Sequence, residues 1–199
     1  IWIDERTDLS VADLRYQISL RRKQGRCEMV IVDYLQLMLS PSEDRKSTND
    51  QISAITRQLK LIAKENDIPV VLLLNFSRDL YRRLEREDAS GIDYIFYWHG
   101  NADLILAIVK LIEDRMNADD DILGVGVQSI LLVEDSIRYY STYLPAIYKL
   151  VLQQSAEFLK EALNEQQQML RKRARPKILL ATNYTEAVGL YEKYKKHLL

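Results

Sequence analysis

The chain has 199 residues, with 28 lysines and arginines against 29 acidic residues and a formal net charge of −1. Charge so evenly mixed gives no global basic field that would by itself gather nucleic acid. The single cysteine, Cys27, excludes an intramolecular disulfide framework and fits a reducing, cytoplasmic setting.

A hydrophobic content of 47% can fill one large or two small domains. Two histidines and one cysteine, far apart in sequence, make no metal-ligand cluster. No apolar run is long enough to span a membrane. The chain opens on Ile1 without an initiator methionine, so it is expected to be an excerpt of something longer.

Ile1–Asp4 reads as a short strand ending in an acid. Ser10 then caps a helix, with Asp13 three residues on in a capping-box arrangement; Val11, Leu14, Ile18 and Leu20 give the apolar face and Gly25 the stop. Met29–Asp33 is an apolar run with a carboxylate at its end, the pattern of a buried parallel strand that presents an acid at the sheet edge. The polar stretch Leu39–Asn49 reads as a loop. Thr48 and Gln51 open a second helix reaching Asn66, with Ile52, Ile55, Leu59 and Ile62 inside.

Asp67-Ile68-Pro69 turns into the strand Val70–Leu74. Asp79–Glu87 reads as a short charged helix and Tyr94–Trp98 as a strand. Gly100-Asn101 caps a helix carrying Leu104, Ile108, Leu111 and Ile112. Residues 117–127, rich in Asp and Gly, read as a linker between a unit over 1–116 and a second over 128–199. Gln128–Glu134 is a strand ending in the pair Glu134-Asp135. A long helix is expected from about Ile137 to Arg173, with Pro145 as a kink or a late start. Lys177–Ala181 is a strand, and Asn183 with Glu186 opens a last helix. This alternation predicts an α/β fold, a parallel sheet flanked by helices, with its chemistry at the carboxyl ends of the strands. Those ends carry Asp4, Asp33, Asn75, His99, Glu134-Asp135 and Asn183.

Three stretches, IWIDERTDLSVADLR (Ile1–Arg15), VIVDYLQLM (Val30–Met38) and ISAITRQLKLIAKENDIPVV (Ile52–Val71), resemble the RecA-like C-terminal domain of DnaB-type replicative DNA helicases. The resemblance implies that Asp33 is the Walker B acid, which orders Mg²⁺ beside a nucleotide's phosphates. It implies that the loop after Asp33 faces single-stranded DNA, with Arg45 and Lys46 as phosphate contacts. No G-x-x-x-x-G-K-[ST] occurs to cradle the phosphates, and Leu74-Asn75 stands where that family has a phosphate-sensing glutamine.

From Asp67 onward, DIPVVLLLNFSRDLYRRL, VGVQSILLVEDSIRYY and RPKILLATNYTEAVGLYEKYKKHLL resemble the receiver-like N-terminal region of proteins related to phosphoenolpyruvate synthase and pyruvate phosphate dikinase. This second resemblance implies flavodoxin-like, response-regulator-type modules. Glu134-Asp135 would match the Mg²⁺-binding acidic pair and Asp33 would fall at the phosphoacceptor place. Asn75 or Phe76 stands near the Ser/Thr place and His99 near the Lys place, so a complete phosphoryl site is not expected.

The two resemblances meet at Asp67–Val71 and predict a chimera joined there. The expectation is a non-enzymatic receiver-like scaffold or interaction module, with a fragment of an ATP-dependent helicase motor as the alternative. No cofactor is expected beyond weak Mg²⁺ at Glu134, Asp135 and Asp33, with ATP/Mg²⁺ and single-stranded DNA entering only under the alternative. The helix 137–173 is the expected contact for a homodimer or a partner protein.

Tyr139, Tyr140, Tyr143 and Tyr148 are expected to pack that helix rather than stack bases. The run Arg171-Lys172-Arg173-Arg175 fits either a phosphate contact or the cationic end of a helix dipole.

Overall fold

The computed structural model describes residues 2–6, 9–33, 48–74, 94–160 and 175–199. They fall into two compact units, Ile1–His99 and Gly100–Leu199. The architecture is α/β, with a small parallel sheet in each unit.

In the first unit, helix α1 (Val11–Lys23) begins at a complete capping box. The Ser10 hydroxyl accepts from the Asp13 amide at 3.1 Å, and the Asp13 carboxylate accepts from the Ser10 amide at 3.3 Å. Leu14 and Ile18 are buried, while Leu20 stays largely exposed. Arg21, Arg22 and Lys23 occupy the last turn, where cations complement the helix dipole. Gly25 follows with φ +65, a left-handed conformation suited to a residue without a Cβ.

Strand β1 (Val30–Asp33) leads toward helix α2 (Thr48–Asn66), whose Ile55, Leu59 and Ile62 are buried at helical spacing. Asp67 ends α2 at φ 51, a conformation that Asp tolerates better than most residues. Arg22 donates to the carbonyl of Asn66 at 2.9 Å and so ties the end of α1 to this turn.

Strand β2 (Val70–Leu74) is central. β1 and β3 (Tyr94–Tyr97) flank it in parallel, with Val30 opposite Val70 and Val71 opposite Tyr94. All five β2 side chains are buried, the mark of a parallel strand covered on both faces.

The expected strand Ile1–Asp4 does not form: residues 2–6 are irregular. Its acid closes a local loop instead, the Asp4 carboxylate accepting from the Arg6 amide at 3.2 Å and from Arg6 Nε at 2.9 Å. Trp2 lies under the Arg21 guanidinium, 3.7 Å from the ring centroid.

In the second unit, helix α3 (Asp103–Met116) starts where Asn101 Oδ1 accepts from the Asp103 amide at 2.9 Å. It buries Leu104, Ala107, Ile108, Leu111 and Ile112. The stretch read from sequence as a linker continues this core. Asp119–Gly124 forms a π-helical turn, and Ala118, Ile122 and Val127 are buried. Strand β4 (Ser129–Val133) pairs in parallel with β5 (Lys177–Ala181), Leu131 opposite Leu179.

Between these strands helix α4 (Ile137–Lys160) runs through Pro145 without a break, burying Tyr140, Leu144, Tyr148 and Val151. The expected extension of this helix to Arg173 lies outside the described residues, as does the expected helix Asp79–Glu87. Helix α5 (Tyr184–Tyr194) is capped by Asn183, whose Oδ1 accepts from the Glu186 amide at 2.9 Å. Leu198 then bridges Ser129 in parallel. Among the described residues no helix is long and apolar enough to cross a membrane.

Trp2 and Trp98 belong to the same unit, although they lie on opposite sides of the join expected at Asp67–Val71. Urea unfolding followed in Trp2→Phe and in Trp98→Phe variants should therefore give coincident midpoints. Leu72→Ala, at a fully buried site, should lower the stability reported at both by about 2–5 kcal/mol.

Candidate functional site

The alternation of β1 decides where its acid goes. Val32 turns into the core, and the next side chain, Asp33, emerges exposed at the carboxyl edge of the sheet. Asp33 stands opposite Leu73 of β2. Its carboxylate makes no hydrogen bond or ion pair with any described residue. On the same edge Trp98 donates its amide to the Leu74 carbonyl at 2.9 Å, and His99 follows, exposed, 6.1 Å from the Tyr97 ring. Arg45, Lys46, Asn75 and Phe76 lie outside the described residues.

Glu134 and Asp135 sit in the second unit, after β4. The Glu134 carboxylate accepts from the Ser136 amide at 3.0 Å and so braces the entry to α4, while Asp135 is exposed. Among the described residues no group of three or more His, Cys, Asp or Glu could hold a metal. Cys27 is free and buried; burial pushes its thiol up, against the opposing pull of Arg22 and Arg21, which makes it a poor nucleophile.

The densest charge cluster is one the sequence reading did not single out. Asp114 on α3 has no exposed surface. It accepts from the Tyr148 hydroxyl at 2.9 Å, from Arg175 Nη1 at 3.0 Å and again from Nη2, and from the Ile178 amide at 3.0 Å. Lys177 is 3.8 Å from Asp114 and pairs with Asp121 at 2.6 Å.

Burial works to lower the Arg175 pKa, but the hydrogen bonds and charge of Asp114, helped by Tyr148 and Glu113, hold it above its ordinary value. Arg175, read from sequence as part of a basic run at a helix end, is therefore a core ion-pair partner. The sequence did hold a signal: Asp114 stands three residues after Leu111, on the apolar face of α3, where an acid needs a buried partner. The cluster is closed on itself and offers no oxygen to a ligand.

Asp119 and Lys193 lie with Arg115 and Glu186 along a groove of about 390 Å³ in the second unit. Its charges also pair internally, Lys193 donating to Asp119 at 2.8 Å and Arg115 to Glu186 at 3.1 Å. Lys193, and next the Tyr194 hydroxyl, hold the Asp119 carboxyl below its usual range.

Residues 1–92 match the family described as the DnaB-like helicase C terminal domain. The replicative DNA helicase DnaB of Geobacillus stearothermophilus is 29% identical over 86 residues, which is 43% of this chain and 19% of that protein. The DnaB of Mycobacterium intracellulare is 33% identical over 87 residues, 44% of this chain and 15% of that protein. For the DnaB of Haemophilus influenzae the figures are 32% over 134 residues, 66% of this chain and 28% of that protein. The chain spans less than a third of the length of each of these curated relatives.

The family match corrects the main expectation drawn from sequence. It runs without a break across Asp67–Val71 and on to residue 92, where a chimera with a receiver-like, response-regulator-type, flavodoxin-like module was expected to change parent. β1, α2 and β2 thus belong to one helicase-like segment, and the non-enzymatic receiver scaffold gives way to the helicase alternative. The alignment to the Haemophilus protein is too long to end by residue 92 wherever it is placed on the 199 residues.

Asp114→Asn leaves Arg175 buried with a weakened partner and should cost about 3–5 kcal/mol in denaturant unfolding of the second unit. A group whose folded pKa is depressed gives stability that is present above its unfolded pKa and lost as pH falls through the folded one. Urea midpoints should therefore fall as the pH drops below the ordinary aspartate value of about 4, and fall less steeply in Asp119→Asn.

Proposed function

We propose that the first unit is a segment of a DnaB-type replicative helicase motor and that Asp33 is its Walker B acid. One observation carries this reading: Asp33 emerges exposed, with no partner among the described residues, at the carboxyl end of a parallel strand, inside the stretch that matches the DnaB-like family. A single strand-end carboxylate open to water fits a Mg²⁺ ion held through its water shell. When bound, Mg²⁺ neutralises phosphate charge and holds the nucleotide for attack by water.

Within this chain, Asp33 would orient the metal's water shell, and Arg45 and Lys46 would contact the phosphates of single-stranded DNA. The 199 residues contain no phosphate-binding loop, so the cradle for the nucleotide has to come from other polypeptide. On its own the chain would supply the metal-ordering acid and the phosphate contacts Arg45 and Lys46 rather than a complete ATPase. A cytoplasmic place suits this role and the single reduced cysteine.

Fluorescence anisotropy with single-stranded DNA at low salt tests the DNA-facing loop. Arg45→Ala with Lys46→Ala should weaken binding and reduce the salt dependence by about 0.7 per lost phosphate contact. An unchanged salt slope would remove DNA contact from that loop. Titration with a fluorescent ATP and Mg²⁺ should show only high-micromolar binding, lost in Asp33→Asn. Binding that survives that substitution would remove the metal from Asp33.

A further inference from the structure

α4 has two faces. Tyr140, Leu144, Tyr148 and Val151 are buried on one. On the other, Tyr139, Tyr143, Ala146 and Leu150 follow at spacings of four, three and four, and all four are exposed. That is the seam spacing of a helix meeting another helix. Tyr139 is 50% exposed, Tyr143 44% and Leu150 61%, a contiguous apolar stripe on a helix of 24 residues, about 36 Å long. The two tyrosine rings already lie parallel, 6.0 Å apart with 8° between their planes, so little side-chain freedom is left to lose on contact. Ala146, in the middle, lets a second helix axis approach to the short end of the usual 8–10 Å range.

The ends of the stripe carry opposite charge. Arg138 is exposed at the N-terminal end, and neither it nor the exposed Glu157 at the C-terminal end has a side-chain partner among the described residues. The two are 19 positions apart in sequence, about 28 Å along the axis. A copy of the same helix running in the opposite direction would set Arg138 against Glu157 at one end and Glu157 against Arg138 at the other. A parallel copy would set like charge against like.

We propose that this face of α4 is the contact of an antiparallel, two-fold dimer between two copies of the chain, with Ala146 of each copy against Leu150 of the other at the two-fold axis, Tyr143 and Tyr139 lying toward the ends against Gln153 and Glu157, and Arg138–Glu157 pairs closing both ends. The dimer is isologous: each side contributes the same patch, and the charge order fixes its direction. It goes beyond the helicase reading and stands apart from it, because every residue it uses lies in the second unit.

Sedimentation velocity of the whole chain, from low to high micromolar, tests the proposal. The expected result is a monomer–dimer equilibrium. Ala146→Arg should leave only monomer with unchanged circular dichroism, since an exposed helical alanine carries no packing within the chain. Arg138→Glu alone and Glu157→Arg alone should each weaken the dimer about tenfold through two symmetry-related contacts. The double variant should restore it. A monomer at every concentration overturns the proposal. So does a dimer that ignores both charge reversals, or a double variant no stronger than the singles. Capture of a single-stranded oligonucleotide by this face, abolished by Tyr143→Ala, would give the stripe a different occupant and overturn it as well.

Discussion

β2 is the constraint on which the first unit depends. Its five side chains are buried and both of its edges are paired, so β1 and β3 have no freedom to slide without breaking a ladder. A shift of one residue would turn Val32 to water and Asp33 into the core. The burial of an apolar strand therefore decides the position of an acid that does no packing itself. The capping box of α1 and the Arg22 contact to the α2–β2 turn brace the same arrangement from the helix side.

The second unit adds a buried charge centre to its hydrocarbon core. Asp114 sits without exposed surface, but four donor groups from α4, β5 and the residue before Pro176 converge on its oxygens. Such a centre adds little net stability over a well-packed apolar one, because desolvation offsets most of the attraction. The Ile178 amide and the Arg175 fork both close on Asp114, which ties α3 to β5 beside the two-stranded sheet of the described residues.

Much of this was legible because it is local. Ser10 with Asp13 and Asn183 with Glu186 announce their helices within three residues, and both caps form. Val70–Leu74 was readable as an unbroken apolar run just after Pro69, and Lys177–Ala181 as one apolar but for Lys177 just after Pro176, and each forms over those residues. What failed to show was whatever depends on distant partners. Ile1–Asp4 has strand composition but pairs with no strand among the described residues, and Asp4 turns to Arg6. The Asp- and Gly-rich stretch 117–127 looks like solvent-exposed chain, yet Ala118, Ile122 and Val127 anchor it in a core with Leu179 and Leu190. Asp114 was hidden because its partner Arg175 is 61 residues away. For the site, the place of Asp33 was readable from β1 alone. The change of parent expected at Asp67 was not sound, because I-P-V after a helix followed by a buried strand is a pattern many parallel α/β units share.

Asp33 and Asp114 show how the two kinds of acid can be told apart physically. Asp114 is surrounded by donors that would be left buried and unpaired without it, so its presence is explained by the fold. Asp33 has no such dependents among the described residues; it is exposed at the end of its strand. In the reading proposed above, such an exposed strand-end carboxylate at the carboxyl edge of a parallel sheet is the group that would order the water shell of a divalent cation.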